Sequence, residues 1–152
     1  SIEEATNFIE NYFIRFPSIY SYLEDTKAFA RENGYVQTLY GRKRYIPDIM
    51  STAPRFAAQA ERIAINHPVQ GSAADLMKMA MIDVADLGKM FGPKTFMLLQ
   101  IHDELVFEMP DDIILQQAPV IVDIMERIVP LAVNLDVKAQ AGKDWNSLKS
   151  IS

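Results

Sequence analysis

The sequence predicts an α+β fold that is mostly helical and carries a short antiparallel sheet. Several long stretches have apolar residues at spacings of three and four, as one buried face of a helix requires. Two short apolar runs, residues 96–101 and 105–109, are separated by only three residues and indicate a hairpin. Strands and helices do not alternate regularly, so a parallel sheet built of βαβ units is not expected.

Composition places the 152-residue chain among soluble globular proteins with one ordinary core. Hydrophobic residues make up 49% and charged residues 23% of the chain, and the mean hydropathy is zero. With 15 basic and 20 acidic residues the net charge is -5, so any site for a polyanion has to be local. The absence of cysteine excludes disulfides and thiol catalysis. No apolar run is long enough to span a bilayer, and no signal-peptide pattern opens the chain.

Two helices are predicted at the start of the chain. Apolar residues from Ile2 to Phe13 keep helical spacing, and Ser1-Ile2-Glu3-Glu4 has the pattern of a capping box. A second helix is expected after Pro17 and ends at Asn33-Gly34, a favourable C-terminal cap. Because the chain starts at such an element boundary, we expect it to be a fragment of a longer protein.

Two further helices are predicted in the middle of the chain. Pro54 suits the first turn of a third helix, and Pro68 should bend or interrupt that helix. After Gly71 the apolar spacing predicts a long amphipathic helix that ends near Gly88.

The last third of the chain is predicted to mix strands with one helix. Phe96–Ile101 and Leu105–Met109 form the hairpin, and residues 113–129 form a helix. Residues 132–141 alternate well enough between apolar and polar to predict a final strand.

Two adjacent carboxylates, Asp103 and Glu104, occupy the turn of the apolar hairpin. The strands are apolar enough to be covered on both faces, and uncompensated charge at the end of such a sheet is costly. A divalent cation is the simplest compensation, and Mg²⁺ binds a few carboxylate oxygens together with water and phosphates. Acidic residues are also common in solvated turns, so that interpretation stays open, as does a structural or exposed role for the neighbouring His102.

A polar stripe is predicted on the third helix. Arg62, Asn66 and Gln70 are spaced by four residues in a stretch otherwise rich in alanine and isoleucine. Each step of four rotates by about 40° on a helix, so the three side chains form a slanted row. Such a row suits the minor groove of DNA, where every base pair presents acceptors at similar places. A solvated helix face is the alternative, and a bend at Pro68 would spoil the register.

A basic loop is predicted between residues 40 and 45. Tyr35–Tyr40 and Tyr45-Ile46 are β-branched or aromatic, so they indicate a short hairpin or extended loop. Its tip carries three cations, Arg42, Lys43 and Arg44, beside aromatic residues, which is a fair local element for binding phosphate. A solvated charge run is the alternative.

Three spaced stretches combine into a resemblance. In order they are Gly34-Tyr35-Val36 with Thr38-Leu39-Tyr40-Gly41-Arg42-Lys43-Arg44 and Pro47-Asp48, Ala60-Glu61-Arg62 with Asn66-His67-Pro68-Val69-Gln70-Gly71 and Ala73-Ala74-Asp75, and Leu99-Gln100-Ile101-His102-Asp103-Glu104-Leu105-Val106. Together they strongly resemble the C-terminal part of family A DNA polymerases, the bacterial DNA polymerase I type. The resemblance runs over essentially the whole chain, and several motifs in one order are far more specific than a single match.

The resemblance implies a role for each candidate residue. Asp103 would ligate the catalytic magnesium ions, Glu104 would support that metal site from beside them, and His102 would lie near the primer terminus. The residues implied to bind DNA are Arg62, Asn66 and Gln70 at the minor groove, Gln100 on the hairpin strand, and Arg42, Lys43 and Arg44 in the basic loop. His67 stands where relatives often carry an apolar residue, so it receives no role.

The resemblance also implies an incomplete polymerase domain. Residues 1–58 are expected to be mainly fingers-side helices with the basic loop, and residues 59–152 mainly palm with the motif C hairpin. Segments equivalent to the family's motif A aspartate and its nucleotide-binding helix, motif B, are not found in this sequence. We therefore expect part of a DNA-directed DNA polymerase that extends a primer 3′ end by two-metal phosphoryl transfer, with the isolated fragment inactive.

Partners and cofactors follow from the same resemblance. The full-length enzyme is expected to bind primer–template DNA, deoxynucleoside triphosphates and two Mg²⁺ ions in the bacterial cytoplasm, associated with the nucleoid and not with a membrane. The fragment is expected to bind Mg²⁺ weakly or not at all and to self-associate through its unpaired sheet edge. The rival functions are a non-catalytic DNA-binding module derived from a polymerase and a small metal-dependent phosphoesterase. The intact carboxylate pair opposes the first, and the lack of further clustered ligands opposes the second.

Overall fold

The computed structural model describes residues 1–151, with the backbone alone described for residues 89–91. The chain divides into two compact units that meet between Ser72 and Ala73. Over the described residues it contains four α-helices and three two-stranded antiparallel sheets. The predicted α+β class, mostly helical with short antiparallel sheets, is confirmed.

The two predicted opening helices are α1 (Ile2–Arg15) and α2 (Pro17–Asn33). The capping box is confirmed, because the Ser1 hydroxyl accepts a hydrogen bond from the Glu4 N–H at 3.2 Å and the Glu4 carboxylate accepts one from the Ser1 amino group. Gly34 ends α2 with a φ of 75°, a left-handed conformation that glycine adopts without strain. None of the side chains of α1 is buried.

The core of the first unit lies beneath a short hairpin. Strands β1 (Tyr35–Gln37) and β2 (Lys43–Tyr45) pair antiparallel, with Tyr35 opposite Tyr45. A 3₁₀ turn over Pro47–Met50 follows the hairpin. The buried side chains that form this core are Ala30, Val36, Ile46, Ile49, Ala60 and Ala64.

Helix α3 (Pro54–Phe91) is continuous over 38 residues, so the predicted division into two helices at Pro68 is wrong. A proline inside a helix removes one backbone hydrogen bond and clashes with the preceding turn, and this usually kinks or breaks the helix. Here side-chain and backbone contacts from the preceding loop support the turn that contains Pro68, as described below. The helix also continues past Gly88, which is tolerated inside it.

The second unit contains the predicted apolar hairpin and the last helix. Strands β3 (Phe96–Ile101) and β4 (Glu104–Glu108) pair antiparallel, with a register shift between Met97 and Leu99. Helix α4 (Ile114–Glu126) is slightly shorter than predicted. Buried side chains in this unit include Ala80, Val84 and Ile121.

The predicted final strand over residues 132–141 is wrong for most of its length. Only β5 (Gln140–Ala141) is extended and paired, and its partner is β6 (Lys149–Ser150). A strand needs a ladder of hydrogen bonds as well as an alternating pattern. Among the described residues, 132–138 pair with no strand, and Ala139 has one backbone bond, donated by the Ile151 N–H to its carbonyl at 3.0 Å. Val133 is 71% exposed, so the alternation there does not produce a strand.

Candidate functional site

The predicted polar stripe exists on one side of α3. Arg62, Asn66 and Gln70 are all exposed and follow one another at successive turns of the uninterrupted helix. Ala60 and Ala64, on another face of the same helix, are 2% and 0% exposed and belong to the core. The helix therefore buries a face of small side chains and presents its long hydrogen-bonding side chains to solvent.

The basic loop is organised by Thr38. This side chain is 3% exposed, and its hydroxyl accepts hydrogen bonds from the Tyr40 N–H at 3.3 Å and the Arg42 N–H at 3.2 Å. The backbone closes the same turn, because the Thr38 N–H donates to the Arg42 carbonyl and the Gly41 N–H to the Thr38 carbonyl, both at 3.0 Å. Gly41 has a φ of 77°, which suits glycine. These bonds fix the loop conformation before it meets any ligand.

The loop is joined to α3 by hydrogen bonds beyond Pro68. The Leu39 N–H donates to the Ser72 hydroxyl at 2.9 Å, and that hydroxyl donates to the Pro68 carbonyl. The Arg42 guanidinium donates to the Gly71 carbonyl at 2.9 Å. One of the three predicted DNA-binding cations is therefore directed at the helix backbone.

The other two cations of the loop lie on strand β2. The Lys43 ammonium stands 4.2 Å from the centre of the Tyr35 ring, a cation–π contact, and Arg44 is exposed opposite Val36. Residues 35–72 carry five basic and two acidic side chains, although the chain as a whole is acidic. The basic character expected for a polyanion site is thus concentrated around the loop and the stripe.

The β3–β4 hairpin, which the resemblance implies to be motif C, has a two-residue turn without glycine. His102 is the first turn residue and has a φ of 52°, and Asp103 is the second. Such turns usually place glycine where φ is positive, although histidine tolerates this region better than most residues. The Gln100 amide donates to the His102 carbonyl, which ties the strand to its own turn. A strained conformation held by a local hydrogen bond is a recurrent feature of functional sites.

Two exposed carboxylates follow one another in sequence at this turn. Asp103 ends the turn, and Glu104 begins β4 opposite Ile101, with both side chains exposed. Carboxylate oxygens of this kind suit Mg²⁺, which retains several water molecules and uses few protein ligands. Within residues 1–151, no three acidic, histidine or cysteine side chains lie close enough together to hold a metal ion. The chain supplies two candidate ligands and leaves the remaining positions to other groups.

The hairpin strands expose large apolar side chains. Phe96, Leu98 and Leu99 are 53%, 51% and 50% exposed. The prediction that both faces of these strands are covered is therefore wrong within this chain. A two-stranded sheet cannot bury its own two faces, because each face needs another element packed against it.

The geometry agrees with comparisons to known proteins. Residues 1–147 match the family described as DNA polymerase family A. The chain belongs to this family.

Individual relatives of this family A chain are similar over nearly all of its residues. It is 46% identical over 147 residues to the thermostable DNA polymerase I of Thermus aquaticus, covering 97% of this chain and 17% of the relative. It is also 46% identical, in an alignment 153 residues long, to the DNA polymerase I of Caldicellulosiruptor bescii, and that alignment covers 98% of this chain and 18% of the relative. The chain thus spans less than one fifth of the length of these curated relatives.

A solved structure agrees with the fold of this family A chain. The POL domain of Pol1 from M. smegmatis, in a complex with DNA primer-template and dNTP, matches with a TM-score of 0.84 and 41% identity. The match covers 90% of this chain and 24% of the other. In the described part of this chain, no helix combines the length and apolar character needed to cross a membrane.

The residues that attach the basic loop to α3 were not identified from the sequence. Thr38, Gly71 and Ser72 received no individual role, yet their contacts fix the loop on α3. A serine four residues after a proline in a helix can bond back to the proline carbonyl, and a threonine before a turn can cap it. Those two local signals were available in the sequence.

Proposed function

We propose that this chain is part of a DNA-directed DNA polymerase that extends a primer 3′ end with deoxynucleotides by two-metal phosphoryl transfer. The observation that carries the proposal is the pair Asp103 and Glu104, exposed side by side at a hairpin turn whose conformation is set by His102. Membership of DNA polymerase family A supports it.

The hairpin supplies some of the ligands of a proposed metal site. Asp103 presents its carboxylate at the turn as a magnesium ligand, and Glu104 adds negative charge from the start of β4. Two Mg²⁺ ions, when bound, would activate the primer hydroxyl and neutralise the charge of the triphosphate. The Gln100 amide holds the His102 carbonyl and keeps the turn in place, with His102 beside the primer terminus. The remaining ligands come from outside this chain, so we propose that the isolated chain binds Mg²⁺ weakly or not at all.

The first unit has the chemistry of a DNA contact surface. Arg62, Asn66 and Gln70 carry donors that match minor-groove acceptors, which occupy similar places in every base pair. Such contacts test the geometry of a pair without reading its sequence. Lys43 and Arg44 lie on an exposed strand and supply phosphate contacts. The M. smegmatis relative, whose structure contains DNA primer-template and dNTP, supports both classes of partner.

We also propose how the chain is divided within the whole enzyme. Residues 1–58 contribute mainly to the fingers side and residues 59–152 mainly to the palm. The enzyme acts in the bacterial cytoplasm at the nucleoid, where its DNA substrate lies.

Primer extension tests the proposed function. The full-length polymerase to which we propose that this chain belongs, here called the parent, is compared with the isolated chain. Each is given Mg²⁺, labelled primer–template and all four deoxynucleoside triphosphates. We expect templated extension by the parent and none by the isolated chain, because residues 1–151 offer two candidate ligands at the hairpin and no cluster of three that could hold a metal ion. A template-free reaction and a preparation from a strain lacking its own polymerase I serve as controls.

Each outcome of this experiment separates the candidate functions. Template-dependent extension by the isolated chain would show that the site is complete without further residues. Failure of the parent to extend would remove the polymerase proposal. DNA binding without extension by the parent would favour a non-catalytic DNA-binding module, and magnesium-dependent hydrolysis of a generic phosphodiester by the chain would favour a phosphoesterase.

A further inference from the structure

Pro68 divides the polar stripe. Arg62 and Asn66 lie before this proline in α3, and Gln70 lies after it. Proline lacks the N–H that would bond to the Ala64 carbonyl, and its ring disfavours a straight helix. A kink of even 20° at this point would move Gln70 relative to the other two side chains. The stripe keeps one register only because α3 remains continuous here.

Four residues hold the helix immediately after this proline. We call them the brace, and they are Thr38, Arg42, Gly71 and Ser72. The Ser72 hydroxyl donates to the Pro68 carbonyl and accepts from the Leu39 N–H. The guanidinium of Arg42 donates to the Gly71 carbonyl at 2.9 Å. The bonds from the loop therefore reach α3 directly after Gln70, at Gly71 and Ser72, and the Ser72 hydroxyl links that point back to Pro68, on the other side of Gln70.

The brace is packed as well as hydrogen-bonded. Thr38 and Ser72 are 3% and 5% exposed, and a hydroxyl buried to this degree is costly to leave without a partner. A Cβ atom placed on Gly71 would stand 2.7 Å from the Thr38 methyl carbon and 3.1 Å from His67 Cε1. Only glycine allows the loop to approach the helix this closely. The contact is therefore specific in shape as well as in polarity.

We propose that the brace is a positioning device that keeps Gln70 in helical register with Arg62 and Asn66 across Pro68. Through that register it sets how strongly the parent enzyme favours a matched over a mispaired primer end. The inference rests on the proposed function of the stripe as a minor-groove contact. Thr38 and Ser72 are positioning residues, because they act through Gln70 and do not touch DNA.

The test uses the full-length parent and compares the loss of a hydroxyl in the brace with the loss of a hydroxyl in the second unit. Ser72→Ala removes one brace hydroxyl, and Thr38→Val removes the other while keeping its shape, with Thr38→Ser as the conservative variant that keeps the hydroxyl. Thr95→Val is the matched control, because it removes a part-buried hydroxyl that bonds to Gln117 at 2.8 Å in the second unit. Two quantities are measured: the ratio of single-turnover incorporation on matched and mispaired primer ends, and hydrogen exchange of the amides of residues 69–72.

We expect Ser72→Ala and Thr38→Val to lower the matched-to-mispaired ratio by about three- to ten-fold, the equivalent of one hydrogen bond. Exchange of amides 69–72 should become faster in both variants. Thr38→Ser and Thr95→Val should leave the ratio within about two-fold of the parent, since one keeps the hydroxyl and the other lies outside the brace. Adding Pro68→Ala to Ser72→Ala should restore the ratio, because alanine returns the missing N–H to the helix.

The outcomes also separate the brace from the stripe. An unchanged ratio and unchanged exchange in Ser72→Ala, an equal loss in Thr95→Val, or no restoration by Pro68→Ala would each overturn the proposal. If Gln70→Ala leaves the ratio unchanged, the proposed role of the stripe fails, and faster exchange in Ser72→Ala still identifies the brace as a helix support. If Ser72→Ala does not fold, Thr38→Val against Thr38→Ser decides the same question.

Discussion

The two candidate functional regions, one in each unit, are stabilised in different ways. Around α3 and the basic loop, buried polar side chains such as Thr38 and Ser72 bond to backbone groups of the same unit. In the motif C hairpin the polar groups at the turn are exposed, and the strands leave Leu98 and Leu99 half exposed. The first region thus fixes its polar groups by internal bonds, although Leu39 and Val69 are exposed there too, whereas the second leaves its carboxylates on an exposed turn between strands that present apolar surface.

This difference indicates which functions each region can perform by itself. A surface whose loop and helix are fixed by internal bonds keeps its donors in place before the proposed DNA ligand arrives, which would reduce the entropy lost on binding. A pair of exposed carboxylates keeps only its local turn geometry and needs further ligands to bind Mg²⁺ tightly. We therefore expect changes in the hairpin to affect chemistry and changes in the helix to affect positioning.

The largest expected effect is that of Asp103→Asn in the full-length parent. Asparagine keeps the size of aspartate but loses the negative charge of the proposed metal ligand. Single-turnover incorporation on a matched primer–template at saturating DNA should fall by more than about a hundred-fold, because a bound metal ion supplies several kcal/mol of stabilisation. Primer–template affinity should stay within about three-fold of the parent, since the stripe is untouched.

Asp112→Asn is the matched control for this change. Asp112 is also an exposed aspartate of the second unit, and it lies after β4. Its substitution should leave incorporation unchanged. If Asp103→Asn retained a tenth of the parent rate, Asp103 would not be a metal ligand and the proposed role of the hairpin would have to be abandoned.

Substitutions in the stripe should have smaller effects of another kind. In the full-length parent, Gln70→Ala or Arg62→Ala should lower incorporation efficiency about ten- to hundred-fold, with some activity remaining, because each removes a hydrogen bond worth about 1.5–3 kcal/mol. Discrimination against mispaired primer ends should fall as well. Gln116→Ala, at an exposed glutamine of α4, is the control and should change neither quantity. Equal losses in all three variants would remove the special role of the stripe.

The stripe and the hairpin were predictable because both are local in sequence. Spacing by four residues places Arg62, Asn66 and Gln70 on one helix face whatever the rest of the chain does. Two apolar runs around His102 and Asp103 leave few alternatives to a hairpin. The roles of these residues come from the resemblance, and the geometry leaves those roles as predictions.

The remaining features depend on contacts between distant residues. The contacts proposed to support α3 at Pro68 come from Ser72 and a loop about thirty residues earlier, which no window of helical spacing includes. The final strand failed for the same reason, because residues 132–138 alternate correctly but pair with no strand in the described part of the chain. Burial of the hairpin strands was overestimated because apolar sequence does not reveal whether the covering element is present.

Exposed apolar surface on the hairpin should make the isolated chain self-associate. Sedimentation at tens of micromolar should show species larger than a monomer, formed by strand pairing or by exchange of an element between copies. Leu98→Lys should weaken association more than about ten-fold, because burial of a leucine contributes about 1.5–3 kcal/mol. Leu115→Lys is the control, since that leucine is 76% exposed and belongs to α4, not to the hairpin strands. A monodisperse monomer of the unsubstituted chain would contradict the prediction.

The smallest expected effects concern stability, and two glycines of the same helix should respond in opposite directions. At Gly71 an added Cβ would meet the Thr38 methyl carbon at 2.7 Å, so Gly71→Ala should destabilise the chain by about 1–3 kcal/mol. At Gly88 no described side chain lies within 4 Å of an added Cβ, its chain neighbours aside, so Gly88→Ala should stabilise by about 0.5–1 kcal/mol through its helix propensity. Urea unfolding followed by circular dichroism, at concentrations too low for self-association, measures both changes. If Gly71→Ala were as favourable as Gly88→Ala, the loop would not be packed closely on α3, and the contrast between an internally fixed helix region and an open hairpin would lose its physical basis.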